Sequence, residues 1–195
     1  MAQQVINNGT TAGDGTGEIL FSAFDKTNDN FVELYNVAGW ANYSERANSN
    51  QVITTTESKM VIDGLGSESE SGYLPLEIRG VSELWDTTND KITPIAIGDG
   101  YTMRLDLTIS AKTGSPNGLD FILDIGGGAT PSNIFIERVI STLKSTPYKV
   151  SVAFPFYSLS TFKTNGGQIF LKTDAGTLSV TTRELSIHRI SSGTL

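Results

Sequence analysis

Two kinds of hydrophobic periodicity divide the chain. Between residues 17 and 36, a set of mostly apolar positions recurs at spacings of four, three, four and three residues: Leu20, Phe24, Thr27, Phe31 and Leu34. This spacing, with one polar member, is typical of the apolar face of an amphipathic α-helix. Beyond Trp40, apolar and polar residues alternate, as expected for half-buried β-strands. We therefore predict an arm at residues 1–39, with a helix at about 17–36, and a separate β domain at residues 40–195.

The segment that precedes the helix consists of small residues. Residues 7–17 include four glycines and contain no side chain large enough to anchor a core, so we expect them to be extended or mobile in an isolated chain. Asp14 or Thr16 is the expected N-cap, and Glu18 would complement the positive end of the helix dipole. The helix is too short to indicate a coiled coil. It either docks on the β domain or associates with helices of other copies.

Alternation is clearest in three segments of the β domain, Tyr101–Ile109, Leu119–Ile125 and Tyr148–Phe154. Further strand candidates lie near residues 51–62, 73–85, 92–97, 133–140, 168–172 and 177–190, whereas Leu65–Gly72 and Asp86–Lys91 have the composition of loops. Eight to ten short strands without helices between them predict an antiparallel sandwich or barrel. The predicted fold class is all-β, an antiparallel jelly-roll sandwich preceded by an extended arm and one short α-helix.

Composition restricts the classes of function. The chain has 195 residues, a formal net charge of −7, one histidine and no cysteine. An acidic chain lacks the basic surface that nucleic acids require, and thiolate metal sites and cysteine nucleophiles are excluded. No apolar run approaches the length of a membrane span, and the first residues lack the pattern of a signal peptide. We expect neither nucleic acid nor membrane as a partner, and synthesis in a cytoplasm.

Several short motifs invite chemical interpretations, and each lacks a second supporting feature. The glycines of residues 125–128 precede a predicted strand, whereas a phosphate-binding turn precedes a helix. The acidic run at residues 25–30 has Asn30 and Asn36 where a calcium loop requires glycine and glutamate. Residues 86–90 contain oxygen ligands suitable for a hard cation, but such clusters more often form turns.

The candidate catalytic groups are also isolated in the sequence. His188 lies in an alternating strand and has no identified serine or carboxylate partner. Asp106, Asp120 and Asp124 occupy the outward phase of their strands, where charged groups are normally solvated. We therefore predict no catalytic, metal or cofactor site and no enzymatic activity.

The arm carries a more specific pattern. It joins Gly-Thr at 9–10, Asp-Gly-Thr-Gly at 14–17, Ala-Phe-x-Lys at 23–26 and Asn-x-Asn-Phe-x-Glu-Leu-Tyr at 28–35. This string resembles the amino-terminal segment that recurs in virion proteins of tailed bacteriophages, among them tail-fibre, head-fibre and capsid-decoration proteins. It departs from that pattern at Phe21, where a basic residue is expected. Residues 40–44, 83–86 and 101–109 look like the jelly-roll domain that follows this segment in some short phage proteins.

The resemblance implies a virion structural protein on the capsid surface or the tail, made in the cytoplasm of a bacterial host. A capsid-decoration or head-fibre (cement) protein is favoured over a tail fibre because the chain has no long repeat that would build a shaft. The implied partners are sister copies in a homotrimer and, through the arm, the major capsid protein or other virion proteins. The expected partner-binding side chains are Leu20, Phe24, Phe31, Leu34 and Tyr35.

Two alternatives remain open at the level of sequence. A tail-fibre or receptor-binding module would contact a glycan or protein of the host surface, with Tyr73, Trp85 and Tyr157 as candidate contacts. A depolymerase would instead need carboxylates about 5–10 Å apart in a cleft.

Overall fold

The computed structural model describes residues 4–10, 15–46, 50–127, 133–140 and 145–193. Two helices and eleven strands follow one another along this part of the chain. Their bounds are α1 Leu20–Asn36, β1 Gly39–Ser44, β2 Gln51–Ile53, β3 Ser58–Lys59, β4 Trp85–Asp86, β5 Lys91–Ile92, β6 Gly100–Thr113, β7 Gly118–Asp124, β8 Asn133–Ile140, β9 Tyr148–Tyr157, α2 Ser160–Asn165, β10 Gln168–Thr173 and β11 Thr177–Ser191.

The strands form two facing antiparallel sheets. One has the order β1-β11-β6-β9, with β2 also paired to β11, and the other has the order β3-β10-β7-β8. Apart from the short β2, the separate β4–β5 hairpin and the adjacent pair β7 and β8, the chain passes from one sheet to the other after each strand, and the first and last strands of the domain are neighbours. This is the topology of the jelly roll. The protein is thus an all-β antiparallel jelly-roll sandwich preceded by an arm and a helix, and the predicted fold class is confirmed.

The core lies between the two sheets and follows the alternation of the sequence. On β6, the inward row from Tyr101 to Ile109 is at most 2% exposed, and Leu185 and Ile187 of β11 continue it on the neighbouring strand. Phe121 of β7 is among the residues that fill the space from the opposite sheet. Regular alternation over long central strands therefore determines which face of the first sheet is buried.

Two expected strands are wrong. Residues 75–82 form helical turns, in which Arg79 N–H donates to the Pro75 carbonyl at 3.1 Å and Ser82 N–H donates to that of Ile78 at 2.9 Å. Pro75 has no N–H for a ladder, and the Arg79 guanidinium closes the turn on the Leu74 carbonyl at 2.6 Å. Of residues 92–97, only the first belongs to a strand, in the β4–β5 hairpin.

That hairpin turns on Asp86. Its Oδ1 accepts the N–H groups of Thr88 and Asn89 at 2.9 and 3.0 Å, and its Oδ2 accepts the Asn89 side-chain amide at 2.7 Å. Burial alone would raise the pKa of Asp86. The hydrogen bonds from Asn89 and Thr88 and the charge of Lys91 outweigh it, so the pKa lies below its ordinary value. Residues 86–91, expected to be a loop, are therefore a hairpin: Asp86 and Lys91 pair in its strands, and residues 87–90 form its ordered turn.

The start of α1 also differs from expectation. The helix begins at Leu20 after Ile19, and no side chain caps it. The Thr16 hydroxyl accepts the Thr10 N–H at 3.2 Å, while Glu18 precedes the first turn and pairs with Lys26. The expected cap at Thr16 is wrong, and the alternative, Asp14, lies outside the described residues.

Two glycines show what the turns of the sandwich require. Gly176, between β10 and β11, has φ +60°, and a Cβ there would overlap the Thr113 carbonyl. Gly80 has φ +73° with nothing within 4 Å of a Cβ position. Both turns favour glycine because of its backbone freedom, but only at Gly176 does a neighbouring strand also leave no room for a side chain. Neither of the two described helices is both long and apolar enough to cross a bilayer.

Candidate functional site

The leader of the arm lies along the polar side of α1. Gln4 N–H donates to Asn30 Oδ1, and the Asn30 amide donates back to the Gln4 carbonyl, each at 2.9 Å. The Gln4 side chain donates to Asp29 Oδ2 at 2.9 Å, and Lys26 Nζ donates to the Val5 carbonyl at 3.1 Å. At 100° per residue, Asp29 lies opposite to Leu20, whereas Lys26 lies about 120° and Asn30 about 80° from Leu20 on one flank of the helix. Hydrogen bonds with the leader thus cover part of the polar surface of the helix, from one flank to the side opposite Leu20.

The opposite face is apolar and open. Leu20, Phe24, Thr27 and Phe31 lie within an arc of about 60° along the helix, and we call them the α1 stripe. Leu20 is 71%, Phe24 59% and Phe31 53% exposed. The Thr27 hydroxyl donates to the Ala23 carbonyl at 2.8 Å, so the one polar member of the stripe has its donor satisfied within the helix.

The predicted partner-binding residues thus share one helix. Leu34 and Tyr35 also lie in α1, and their side chains lie outside the described part of the structure. Phe21, at the position where the resemblance leads us to expect a basic residue, is 73% exposed and widens the apolar surface. The exposed state of Leu20 and Phe24 does not fit the expectation that this helix docks on its own β domain.

A second apolar surface lies between two sheet edges. β8 ends one sheet and β9 ends the other, and an open groove of about 420 Å³ lies beside them. We call it the β8–β9 groove. Its lining residues carry no charge: Leu123, Ile125, Ile134, Ile136, Phe154, Pro155, Phe156, Tyr157, Leu159 and Phe162. Sequence reasoning missed this surface because its residues belong to several strands, to the segments beside them and to α2, and only the positions of the two sheet edges bring them together.

A stack of three rings lies at the far edge of the first sheet. Trp40 of β1 stacks on Tyr73 with ring centroids 5.0 Å apart and on His188 of β11 with centroids 6.0 Å apart. Tyr73 is 58% exposed, so its ring is available to solvent. Trp40 and His188 are register partners, which explains why they meet. Sequence alone does not pair them, because β1 and β11 are far apart in the chain.

The other two aromatic candidates lie elsewhere. Trp85 is fully buried, and its indole N–H donates to the Ile62 carbonyl at 3.0 Å, so a role as an exposed contact is wrong. Tyr157 is 68% exposed but lies on β9, three strands from β1. The structure therefore does not gather Tyr73, Trp85 and Tyr157 on one face.

Buried charges hold the loops to β11. Arg189 is buried and pairs with Asp99 at 2.9 Å and with Glu77. Burial lowers the pKa of the guanidinium, but Asp99 and Glu77 outweigh burial and raise it. Asp99, 0% exposed, also accepts the N–H groups of Gly193 at 2.8 Å and Ala96 at 2.9 Å. Both oxygens of the Asp99 carboxylate thus have internal partners, while the buried Arg189 Nε has no hydrogen-bond partner among the described residues. The internal pairing of Asp99 with Arg189 indicates a structural role.

Tyr43 ties β1 to the loop before β4. Its hydroxyl donates to Glu83 Oε2 at 2.7 Å and accepts the Leu84 N–H at 2.9 Å. Burial, together with the Glu83 carboxylate, raises the pKa of Tyr43, so the phenol stays protonated.

The carboxylates singled out in the sequence have separate partners. Asp106 pairs with Arg104 and Asp120 with Arg138. Asp124 is 3% exposed, so its expected outward position is wrong: its Oδ1 accepts the Gly126 N–H at 2.7 Å, because the chain turns back directly after β7. Among the described residues, no three histidine, aspartate or glutamate side chains are placed to hold a metal ion.

The two carboxylates of residues 86–90, considered above as ligands for a cation, make contacts with different parts of the protein. Asp86 serves the hairpin, whereas Asp90 pairs with Lys59 at 3.3 Å and accepts the Ile62 N–H at 3.3 Å. His188 stacks on Trp40, and Gly127 has the positive φ of a turn, while Gly128 lies outside the described residues.

No protein-family model matches the sequence, and no curated protein matches it. Solved structures with a similar arrangement include Eiger TNF from S. frugiperda, at 10% identity and a TM-score of 0.42, covering 82% of this chain and 95% of that one. The PRD1 vertex protein P5 has 11% identity and a TM-score of 0.41, with 80% and 96% covered. The CBM22-1 xylan-binding domain of Paenibacillus barcinonensis Xyn10C has 10% identity and a TM-score of 0.40, with 78% and 94% covered. At these values the likenesses carry no functional argument.

Proposed function

We propose that the protein is a non-enzymatic bacteriophage virion protein of the capsid-decoration or head-fibre type, anchored to the particle by its arm and assembled as a trimer. The observation that carries the proposal is the α1 stripe. It presents large apolar side chains to solvent while the leader bonds to the polar side of the same helix. Together with the resemblance of residues 7–35 to phage virion proteins, this favours an attachment helix.

The energetics of the stripe suit attachment. Fully burying a large apolar side chain contributes about 1.5–3 kcal/mol. Leu20, Phe24 and Phe31 are 71%, 59% and 53% exposed, so burial of these exposed parts on a neighbour would contribute about 3–5 kcal/mol in total before entropy is subtracted. Because the leader is already bonded to α1, the helix would lose less conformational entropy on docking than an unfolded arm.

In this proposal the partners of the arm are the major capsid protein or another virion protein, together with sister copies. The β domain projects from the particle, no cofactor is required, and the protein is made in the cytoplasm of the bacterial host. The exposed, acidic surface of the chain is compatible with such a location.

The arm is tested by changing both Phe24 and Phe31 to Asp and counting the copies in purified particles. We expect incorporation to be lost while the β domain keeps the circular dichroism and thermal transition of the wild type. Val81, which is 87% exposed in the loop before β4, provides the control as Val81→Asp, which should incorporate normally. Normal incorporation of the double variant would contradict the proposal.

A receptor-binding module is the second candidate, and the ring stack is the observation that favours it. The open face of Tyr73, supported by Trp40, is suited to stacking on a sugar ring of the host surface. Tyr73→Ala should then abolish binding of labelled particles to host cells without altering incorporation, whereas unchanged cell binding would remove this candidate. Electron cryomicroscopy of the particles distinguishes the two locations, since many copies on the shell indicate decoration and a few at the tail indicate a fibre.

A further inference from the structure

We infer that the β8–β9 groove of one copy binds the α1 stripe of a second copy. The inference rests on the proposed function, since it takes α1 as the attachment helix, and it names one partner: another copy of this chain. Both surfaces are apolar and both are open in a single copy.

Charge favours two copies meeting at this groove. The chain carries a net charge of −7, so copies repel one another through most of their surface. All ten residues that line the groove are uncharged. The stripe contributes no carboxylate, and Asp29 on the opposite face is bonded to Gln4. Contact between stripe and groove would therefore bury no charge, which is the condition for a stable apolar interface.

Dimensions also agree. Packed sheets lie about 10 Å apart, so the two edges of the groove belong to layers separated by about the width of one helix with its side chains, 10–12 Å. The stripe from Leu20 to Phe31 extends over about 16 Å of the helix. On the groove side, Ile134 is 48%, Tyr157 68% and Leu159 55% exposed, which places partly open apolar side chains on β8, at the end of β9 and directly after it.

The position of α1 in its own chain favours a second copy over its own groove. Only Val37 and Ala38 separate α1 from β1, and β1 lies at the opposite edge of its sheet from β9, about 14 Å away. The end of the sandwich between these edges is occupied by loops bonded to each other. Asp99 accepts the Gly193 N–H, and Gly98 N–H donates to the Ser158 carbonyl at 2.6 Å.

The contact has a consequence for symmetry. A stripe that binds a different surface of the next copy makes a head-to-tail interface, which either closes into a ring or continues as a filament. In a closed ring every stripe and every groove is occupied, and the trimer expected from the resemblance is such a ring. The stripe then joins sister copies, and contacts with the major capsid protein or another virion protein fall to the rest of the arm.

The test uses the absence of cysteine from the sequence. One copy carries Phe24→Cys and a differently tagged copy carries Tyr157→Cys or Leu159→Cys, and the mixed full-length chains are oxidised mildly. We expect a disulfide-linked pair containing both tags. Val81→Cys replaces the groove cysteine in the control, and no mixed pair should form with it.

Affinity provides an independent measurement. In analytical ultracentrifugation, Phe24→Asp and Ile134→Asp should each weaken association between copies about 10- to 100-fold, the range expected when one large apolar contact is lost. The chain with both substitutions should be little weaker than either single variant, because both remove the same contact. Additive losses would overturn the inference.

The other outcomes of cross-linking are equally decisive. If two Phe24→Cys copies cross-link to each other but not to the groove, the helices pair with each other. A chain that carries both cysteines tests the remaining case, since cross-links formed only within that chain would indicate that α1 docks on its own groove. Either result overturns the inference. If Phe24 is needed for incorporation but its cysteine never links to the groove in particles, the inference fails and the proposed function stands. If the groove link forms while Phe24→Asp incorporates normally, the proposed function fails instead.

Discussion

Asp99→Asn tests whether the buried charge network stabilises the jelly roll. Asp99 is 0% exposed and accepts four hydrogen bonds, from Arg189, Gly193, Ala96 and the Tyr101 hydroxyl, at 2.8–2.9 Å. Asparagine keeps the shape but replaces one acceptor by a donor, which then faces the N–H of Ala96 or Gly193. It also removes a charge from the buried Arg189. Breaking a buried pair by removing one partner costs about 3–5 kcal/mol.

Urea unfolding followed by tryptophan fluorescence measures this effect, because Trp85 is fully buried. With a slope of about 2 kcal/mol per molar urea, the midpoint should fall by about 1.5–2.5 M. Tyr101→Phe removes one donor to the same carboxylate and leaves the Ile95 N–H, now bonded to the hydroxyl at 2.8 Å, without that acceptor. It should cost about 1–3 kcal/mol and remains measurable if Asp99→Asn does not fold.

The matched control is Asp106→Asn, since Asp106 pairs with Arg104 on the exposed side of the same sheet. That change should stay within about 0.5 kcal/mol of the wild type. The reasoning would be refuted by an Asp99→Asn midpoint within about 0.5 M of the wild type at the same slope, because Glu77 alone would then suffice for Arg189.

Three further changes follow from the turns and the loop contacts. Gly176→Ala should destabilise the protein by about 1–2 kcal/mol more than Gly80→Ala in urea titrations, because both incur the strain of positive φ but only the first also meets a carbonyl oxygen; equal losses would contradict this. Since the folded pKa of Asp86 is lowered, its contribution is complete above the unfolded value of about 3.9 and is lost as the pH falls through the folded value. The stability difference between wild type and Asp86→Asn should therefore shrink between about pH 5 and pH 2, and a constant difference would exclude this cause. Tyr43→Phe should cost about 1–3 kcal/mol in thermal or urea unfolding because it leaves the Leu84 N–H without its acceptor; a change below about 0.5 kcal/mol would show that the N–H finds another partner.

Fold class was predictable because the pattern that determines it is local. The row from Tyr101 to Ile109 alternates without interruption, and its inward members are the buried centre of the first sheet. Residues 73–85 have a comparable share of apolar residues, but residues 75–82 within them form helical turns, because Pro75 removes a ladder donor and Arg79 closes the turn. The choice between a strand and helical turns is decided here by hydrogen bonds, and the spacing of apolar residues contains no information about them.

The candidate surfaces were predictable only where a single element carries them. The α1 stripe was visible as a spacing, and the structure places three of its predicted members in the open. The ring stack depends on the pairing of Trp40 with His188, which lie in strands β1 and β11, far apart in the chain. The β8–β9 groove depends on where two sheets end. Both are long-range consequences of topology, and the sequence contains no local pattern for either.

The pairing of β1 with β11 has a consequence for how the protein is made. β1 directly follows the arm helix, yet its backbone partner is the last described strand. While the chain is being synthesised, Ala41 and Tyr43, buried in the finished domain, have no sheet to join. Sheets closed by such distant strands fold slowly and expose apolar segments on the way. The strand attached to the arm is thus fixed last, so a prematurely terminated chain would have an arm but no rigid body behind it.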